Sequence, residues 1–418
     1  MFSSRIRAIG LLAAATLAIL PAFGLAQAKP RELTPEQKTD ILAAVEKVVT
    51  EQAFVPGADL KKWPTMIEKK KDALDKAKTD EEFAFVVNRS LDEFGFSHMA
   101  LMPPDAGTAR QTQKRVGIGI RIEIEPDKGL RVMFVFPGSP AEEAGIKMGD
   151  LVFEADGKPV RGVGDLSGQE GDKSKIKIKR GEQVIEVEAT RRPYSTVVPE
   201  TLEVKGDTAI LTVPTFDVGY DRKNVDKLME EAMKSKVIVV DLRSNGGGAV
   251  MSLLHLLSYF LPNEPIGTFI NRSAIDAYKE AKGEETNDPL KLVEFSNNKV
   301  RPFKRETQYQ GKVAVLTSGA TGSASEMFAA AMRELRGGEI FGGKTAGAVL
   351  ASIISPLKNG HNFWIQYPLL DYVTIKGLRL EGNGVKPLVE APVPTYGQED
   401  KALAAAIKWG EESLAKAG

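Results

Sequence analysis

The stretch "KVAVLTSGATGSASEMFAAAMRE", residues 312–334, decides how this chain folds. Val313, Ala314, Val315 and Leu316 form a short continuous apolar run, the mark of a strand covered on both faces. Gly319 and Gly322 interrupt it. From Met327 onward the stretch is rich in Ala and predicts a helix. A buried strand feeding a helix through a short polar turn is an α/β unit, and chemistry in such units sits on the turns at strand ends. At the junction, Ser323-Ala324-Ser325-Glu326 fits S-x-x-E, the capping box. Ser323 therefore has two readings, helix cap or nucleophile, and this stretch alone favours the cap.

The same alternation runs through the C-terminal half. "TAILTVPTF" (208–216) reads as a strand, and "DRKNVDKLMEEAMKS" (221–235) as a helix with Val225, Leu228, Met229 and Ala232 on one face. "KVIVVDLRSNGGG" (236–248) is a buried strand ending in a glycine turn. "AVMSLLHLLSYFL" (249–261) is helical, and "GEIFGG" (338–343) is a short strand. Residues 115–192 change to short strands and Gly turns, with "KIKIKR" and "VIEVEATR" split by Gly181-Glu182. Residues 29 to about 99 are helical. Thr34-Pro35-Glu36-Gln37 and Thr79-Asp80-Glu81-Glu82 open two helices, and Ile41, Leu42, Val45, Val48 and Val49, then Phe83, Val86, Val87, Leu91 and Phe94, recur at helical spacing.

The chain has 418 residues, 42% hydrophobic and 27% charged, enough for several domains. Lys plus Arg and Asp plus Glu balance at 56 each, so a nucleic-acid role has no electrostatic support. Without Cys there is no disulfide, thiol catalysis or Cys-rich zinc site, and any His-based chemistry must use His98, His255 or His361. No metal-ligand cluster is apparent, so neither metal nor cofactor is expected.

Arg5 and Arg7, the apolar run at residues 8–20, and Ala26-Gln27-Ala28 form an export signal. The apolar run is shorter than the roughly 20 residues a membrane span needs. The expectation is an exported protein that is not integral to the membrane, periplasmic, with secretion to the medium as the alternative.

Two resemblances follow from the motifs. "GSPAEEAGIKMGDLV" (138–152) resembles the corresponding segment of PDZ domains, with Gly117, Ile118 and Gly119 as the carboxylate-binding loop. The family's groove-wall helix falls in the Gly-rich "RGVGDLSGQEGDK" (161–173), so weak peptide capture is expected. "VIVVDLRSNGGG", "VAVLTSGATGSASEMFAAAMRE", "GGKTAGA" and "LEGNGVKP" follow in the order of the tail-specific, C-terminal processing serine peptidases and their tricorn-core relatives. The resemblance implies a multidomain α/β protein: leader 1–28, N-terminal helical domain 29–108, PDZ 109–193, and a crotonase/ClpP-like ββα-spiral catalytic domain 194–418.

It also implies roles. Ser323 is the nucleophile, and the N–H groups of Gly247 and Ala324 form the oxyanion hole. The processing branch uses a Lys base and a Gln four residues on, but those positions hold Ala348 and Ser352 here. The tricorn-like branch uses a Ser-His pair and a late Glu, which match Ser97, His98 and Glu381. The expectation is an exported serine endopeptidase with His98 as base, acting on proteins or peptides. The alternatives are a non-catalytic peptide- or ligand-binding protein on the same fold, and an atypical Ser-Lys peptidase using Lys344.

Overall fold

The computed structural model describes residues 31–125, 127–394 and 398–415, without the side chains of residues 163 and 164. The leader expected at residues 1–28 lies outside the described residues. Among the described residues no helix is long and apolar enough to cross a membrane, and no group of His, Cys, Asp and Glu is placed to hold a metal ion.

The C-terminal half is built on a six-stranded sheet, in the order Thr201–Lys205, Thr208–Thr212, Val237–Asp241, Lys312–Thr317, Glu339–Gly342 and Val389–Glu390. The first pair is an antiparallel hairpin, and every later pair is parallel. Parallel neighbours need crossovers, which the helices Arg222–Ala232, Val250–Leu257 and Ala324–Arg336 supply. Alternate side chains of one strand serve the two faces. Ile238 and Val240 pack with Met229, Leu253 and Phe328, whereas Val237 and Val239 pack with Ala402 and Ala406 of the helix Lys401–Ala415. Coverage on both sides is why these strands read as unbroken apolar runs.

The carboxyl ends of Val237–Asp241 and Lys312–Thr317 lie side by side, with Asp241 opposite Leu316. The glycine turn and Ser323 both follow directly from them, at the edge where open parallel sheets place their sites.

A second sheet centres on the long strand Trp364–Thr374, which pairs antiparallel with Ala351–Pro356, Gly267–Ile270 and Ala100–Met102. The strand immediately after Ser97-His98 is thereby sewn to chain more than 260 residues later, as in the pair Ala100↔Gln366. The helices Pro35–Lys47 and Asp80–Leu91 start at the two predicted capping boxes. Their core of Ile41, Val45, Trp63 and Phe83 continues into Phe363, Ile365 and Tyr367. The helical segment closes its core only with the help of the second sheet, because so few helices cannot bury enough apolar surface alone.

The β-module has its own core of Leu130, Val132, Val152, Ile176 and Ile178 inside an antiparallel sheet. Entry and exit are tied by Lys114–Gly117 pairing with Arg192–Ser195. Where a groove-wall helix was expected to be missing, only the 3-10 turn Val163–Leu166 is found.

Candidate active site

Ser323 stands at the start of Ala324–Arg336 with φ 54° and ψ −122°. An ordinary helix cap is extended, as Thr34 and Thr79 are, at φ −75° and −104°. Positive φ in a residue with a Cβ is strained, and such strain persists only where the surroundings enforce it. Here they do. The Ser323 N–H donates to the Ala348 carbonyl at 2.8 Å and to Glu326 Oε2 at 3.1 Å. Cap position and an enforced elbow coincide in one residue.

His98, also at positive φ (62°), follows Ser97 just before the strand Ala100–Met102. Ser97 Oγ lies 2.6 Å from His98 Nδ1 and donates to Glu381 Oε2 at 2.9 Å, while the Ser97 N–H donates to Glu381 Oε1 at 2.7 Å. A hydroxyl has one proton. With that proton on Glu381, Nδ1 must be the protonated nitrogen, donating to Ser97 Oγ. Nε2 then carries the free lone pair. Burial pushes the imidazole down to about 4, so His98 is neutral in ordinary buffers.

Ser323 and His98 line one cavity of about 730 Å3, which also touches Gly246, Gly247, Gly248, Ala324 and Val349. The cavity extends to Arg115, Arg121 and Phe136 of the β-module, so the module forms part of its wall.

Two buried carboxylates clamp the segment 345–349 between these groups. Glu326 Oε1 accepts from Thr345 Oγ1 (2.5 Å) and Gly347 N (2.7 Å), and its Oε2 accepts from Ala348 N (2.9 Å) as well as Ser323 N. Burial pushes the Glu326 carboxyl up, and these hydrogen bonds oppose the push. Glu381 Oε2 accepts from Val349 N at 2.7 Å. One short stretch of backbone thus references the serine through Glu326 and the histidine through Glu381. Sequence reading took Glu326 for a capping residue only; its reach to 345–348 is a tertiary fact that S-x-x-E does not contain.

Ala348, at the position where a Lys base was expected, contributes only its backbone. Lys344 is exposed and does not line the cavity. Ser352 does line it, and Gln366 on the neighbouring strand donates to Ser352 Oγ at 2.8 Å.

The glycine turn differs from expectation in one respect. The Gly247 N–H is taken by Asn245 Oδ1 at 2.9 Å instead of standing free. The Ala324 N–H has no acceptor among the described residues, nor do those of Gly246 and Gly248. Gly247 is instead required by close approach: at φ +100° its Cβ would fall 2.5 Å from Ser323 Cβ and 2.8 Å from the Gly322 carbonyl. Asn245, fully buried and not singled out from the sequence, also donates to Val213 O at 3.0 Å and fixes the turn.

The other histidines lie elsewhere. His255, buried in the helix Val250–Leu257, joins a polar network, with Tyr220 Oη 2.8 Å from Nδ1 and Asp226 Oδ1 3.0 Å from Nε2. His361 is in a loop beside Asp40. In the β-module, Gly119 turns at φ +83° and the N–H groups of Ile118 and Gly119 have no acceptor among the described residues.

Comparison with known proteins agrees with this architecture. A family model for peptidase family S41 matches residues 207–391, and one for the PDZ domain matches residues 116–190. A probable CtpA-like serine protease of Staphylococcus haemolyticus is 27% identical over 290 residues, and that of Staphylococcus aureus strain COL is 26% identical. The match covers 67% of this chain and 53% of either relative, so the chain spans about half their length. Among solved structures, the photosystem II D1 C-terminal processing protease aligns with TM-score 0.52 at 18% identity, over 89% of this chain and 97% of that one. Mature CPAF complexed with lactacystin aligns with TM-score 0.52 at 15% identity, over 91% and 97%. These structural likenesses concern the fold.

Proposed function

Taking residues 207–391 as a peptidase family S41 domain and residues 116–190 as a PDZ domain, we propose that the chain is a serine endopeptidase of Ser-His type, close to the tricorn-core branch. The observation that carries the reading is the relay Glu381–Ser97–His98, opening on the same cavity as the strained Ser323. A hydroxyl needs a base to become a nucleophile. Nε2 of the neutral His98 takes the Ser323 proton as Oγ attacks the substrate carbonyl. The imidazolium that forms is held by Ser97, backed by Glu381, as the third member of a triad holds its histidine. The Ala324 N–H, at the positive end of its helix, and the N–H groups of Gly246 and Gly248 receive the oxyanion, a role Gly247 does not share because its own N–H is held by Asn245. His98 then returns the proton to the leaving amine, and water releases the acyl group by the same steps. The exposed position of Lys344 argues against a displaced Ser-Lys pair.

The basic and apolar pattern of residues 5–28 supports export, to the periplasm in a double-membraned cell. Substrates are proteins or peptides threaded past the PDZ wall of the cavity.

A fluorophosphonate probe tests the mechanism. The wild type should be labelled at Ser323, Lys344→Ala should be labelled as well, and His98→Ala should lose nearly all labelling. Labelling that survives in His98→Ala and vanishes in Lys344→Ala would restore the Ser-Lys alternative. An inert Ser323 in a folded wild type would favour a binding protein.

A further inference from the structure

The charged side chains lining the cavity are Arg110, Arg115, Arg121 and Asp217. Arg110 and Asp217 neutralise each other at 2.7 Å. Arg121 lies over the rings of Phe134 and Phe136 at 5.4 and 5.2 Å. Arg115, on the strand Lys114–Gly117, is half-buried, and among the described residues no carboxylate lies within ion-pair distance of it. Tyr194 faces it across the strand pair; burial pushes that phenol up to about 12, so it stays neutral and supplies no counter-charge. Burial also lowers the Arg115 guanidinium from its ordinary range. A desolvated cation without a partner is costly, and a planar guanidinium is suited to a carboxylate.

We propose that Arg115 forms a carboxylate-binding subsite at the PDZ end of the cavity, so that peptides presenting an Asp or Glu side chain there are the preferred substrates. The inference rests on the cavity being the substrate site proposed above. It assigns acid recognition to the Arg115 side chain, separate from the N–H groups of the Ile118-Gly119 loop.

Binding to the Ser323→Ala protein tests it without any demand on hydrolysis, and the fluorophosphonate experiment judges the catalytic reading separately. The probes are fluorescent Ala/Gly peptides with Glu scanned through each position, each paired with its Gln counterpart, N-acetylated and C-amidated. A second arm compares free and amidated C-termini in peptides without acidic residues. At one register the Glu peptide should bind about tenfold more tightly than its Gln partner. Arg115→Gln should abolish that preference and Arg115→Lys should restore part of it, with circular dichroism confirming that both variants fold. A dependence on the free terminus that Arg115→Gln removes would keep the subsite and make the chain end its ligand. Equal binding of Glu and Gln peptides in every register with no terminus dependence, or a preference that persists in Arg115→Gln, overturns the proposal. So does a dependence on the free terminus that Arg115→Gln leaves intact, which would assign recognition to the Ile118-Gly119 loop.

Discussion

Ser97 and Glu381, 284 residues apart, are joined twice: the Ser97 N–H donates to Oε1 at 2.7 Å and its hydroxyl to Oε2 at 2.9 Å. The double contact sets both the position of Ser97 and the direction of its proton, and through them the tautomer of His98. Removing the hydroxyl leaves Nδ1–H without its acceptor and frees the imidazole to turn. Ser97→Ala should lower kcat by about 10²-fold or more with KM little changed, the range expected when proton transfer is mis-set. Steady-state kinetics on a single peptide would show it. An unchanged kcat removes Ser97 from the relay.

The acid limb of activity should lie well below that of a free histidine. His98 sits at about 4 where an unperturbed imidazole titrates near 6.5. The base therefore stays neutral as pH falls through 6, and kcat/KM should decline only near pH 4. Stability follows the linked sign. Between about pH 6.5 and 4 the unfolded chain binds a proton that folded His98 refuses, so stability falls as pH drops through this window. The urea midpoint of wild type should fall relative to that of His98→Gln as pH drops from about 6.5 to 4.

Ser323 holds a backbone conformation that a residue with a Cβ adopts at a cost. Ser323→Ala and Ser323→Gly should both be inactive, but the Gly variant should be the more stable by about 1 kcal/mol. Urea titration at neutral pH decides. Equal stability would mean that the elbow carries no strain.

Glu326 accepts hydrogen bonds from Ser323 N, Thr345 Oγ1, Gly347 N and Ala348 N. A Gln there points an NH₂ at donors, so Glu326→Gln should lose about 1–3 kcal/mol of stability. It should also lower kcat, because the serine elbow and the segment that anchors Glu381 lose their common reference. Calorimetry and the fluorophosphonate labelling rate measure the two effects.

Gly247→Ala should be nearly inactive, since its Cβ would enter within 2.5 Å of Ser323 Cβ. Neither backbone can retreat easily: the Gly247 carbonyl accepts from Phe216 N and the Gly322 N–H donates to Asn245 O. Loss of labelling in a folded variant is the expected result.

Much of this protein is determined locally and was readable in order. The apolar runs at 237–240 and 313–316, the capping boxes at Thr34 and Thr79, and the Gly turns are short-range patterns whose physics acts within a few residues. The α/β alternation followed from them, whereas the domain folds and the residues named for the site came from the resemblance of short motifs to known families. Tertiary structure alone decided what those residues do to one another. The pattern S-x-x-E does not say that Glu326 also holds residues 345–348. The spacing of three glycines does not say that Asn245 has taken the Gly247 N–H, nor does "FGFSHMAL" say which nitrogen of His98 is free. Each of these depends on a hydrogen-bond partner brought in by sheet pairing and core packing from tens to hundreds of residues away. That no carboxylate pairs with Arg115 among the described residues arises in the same way, because it is settled only once the surrounding chain has folded around it.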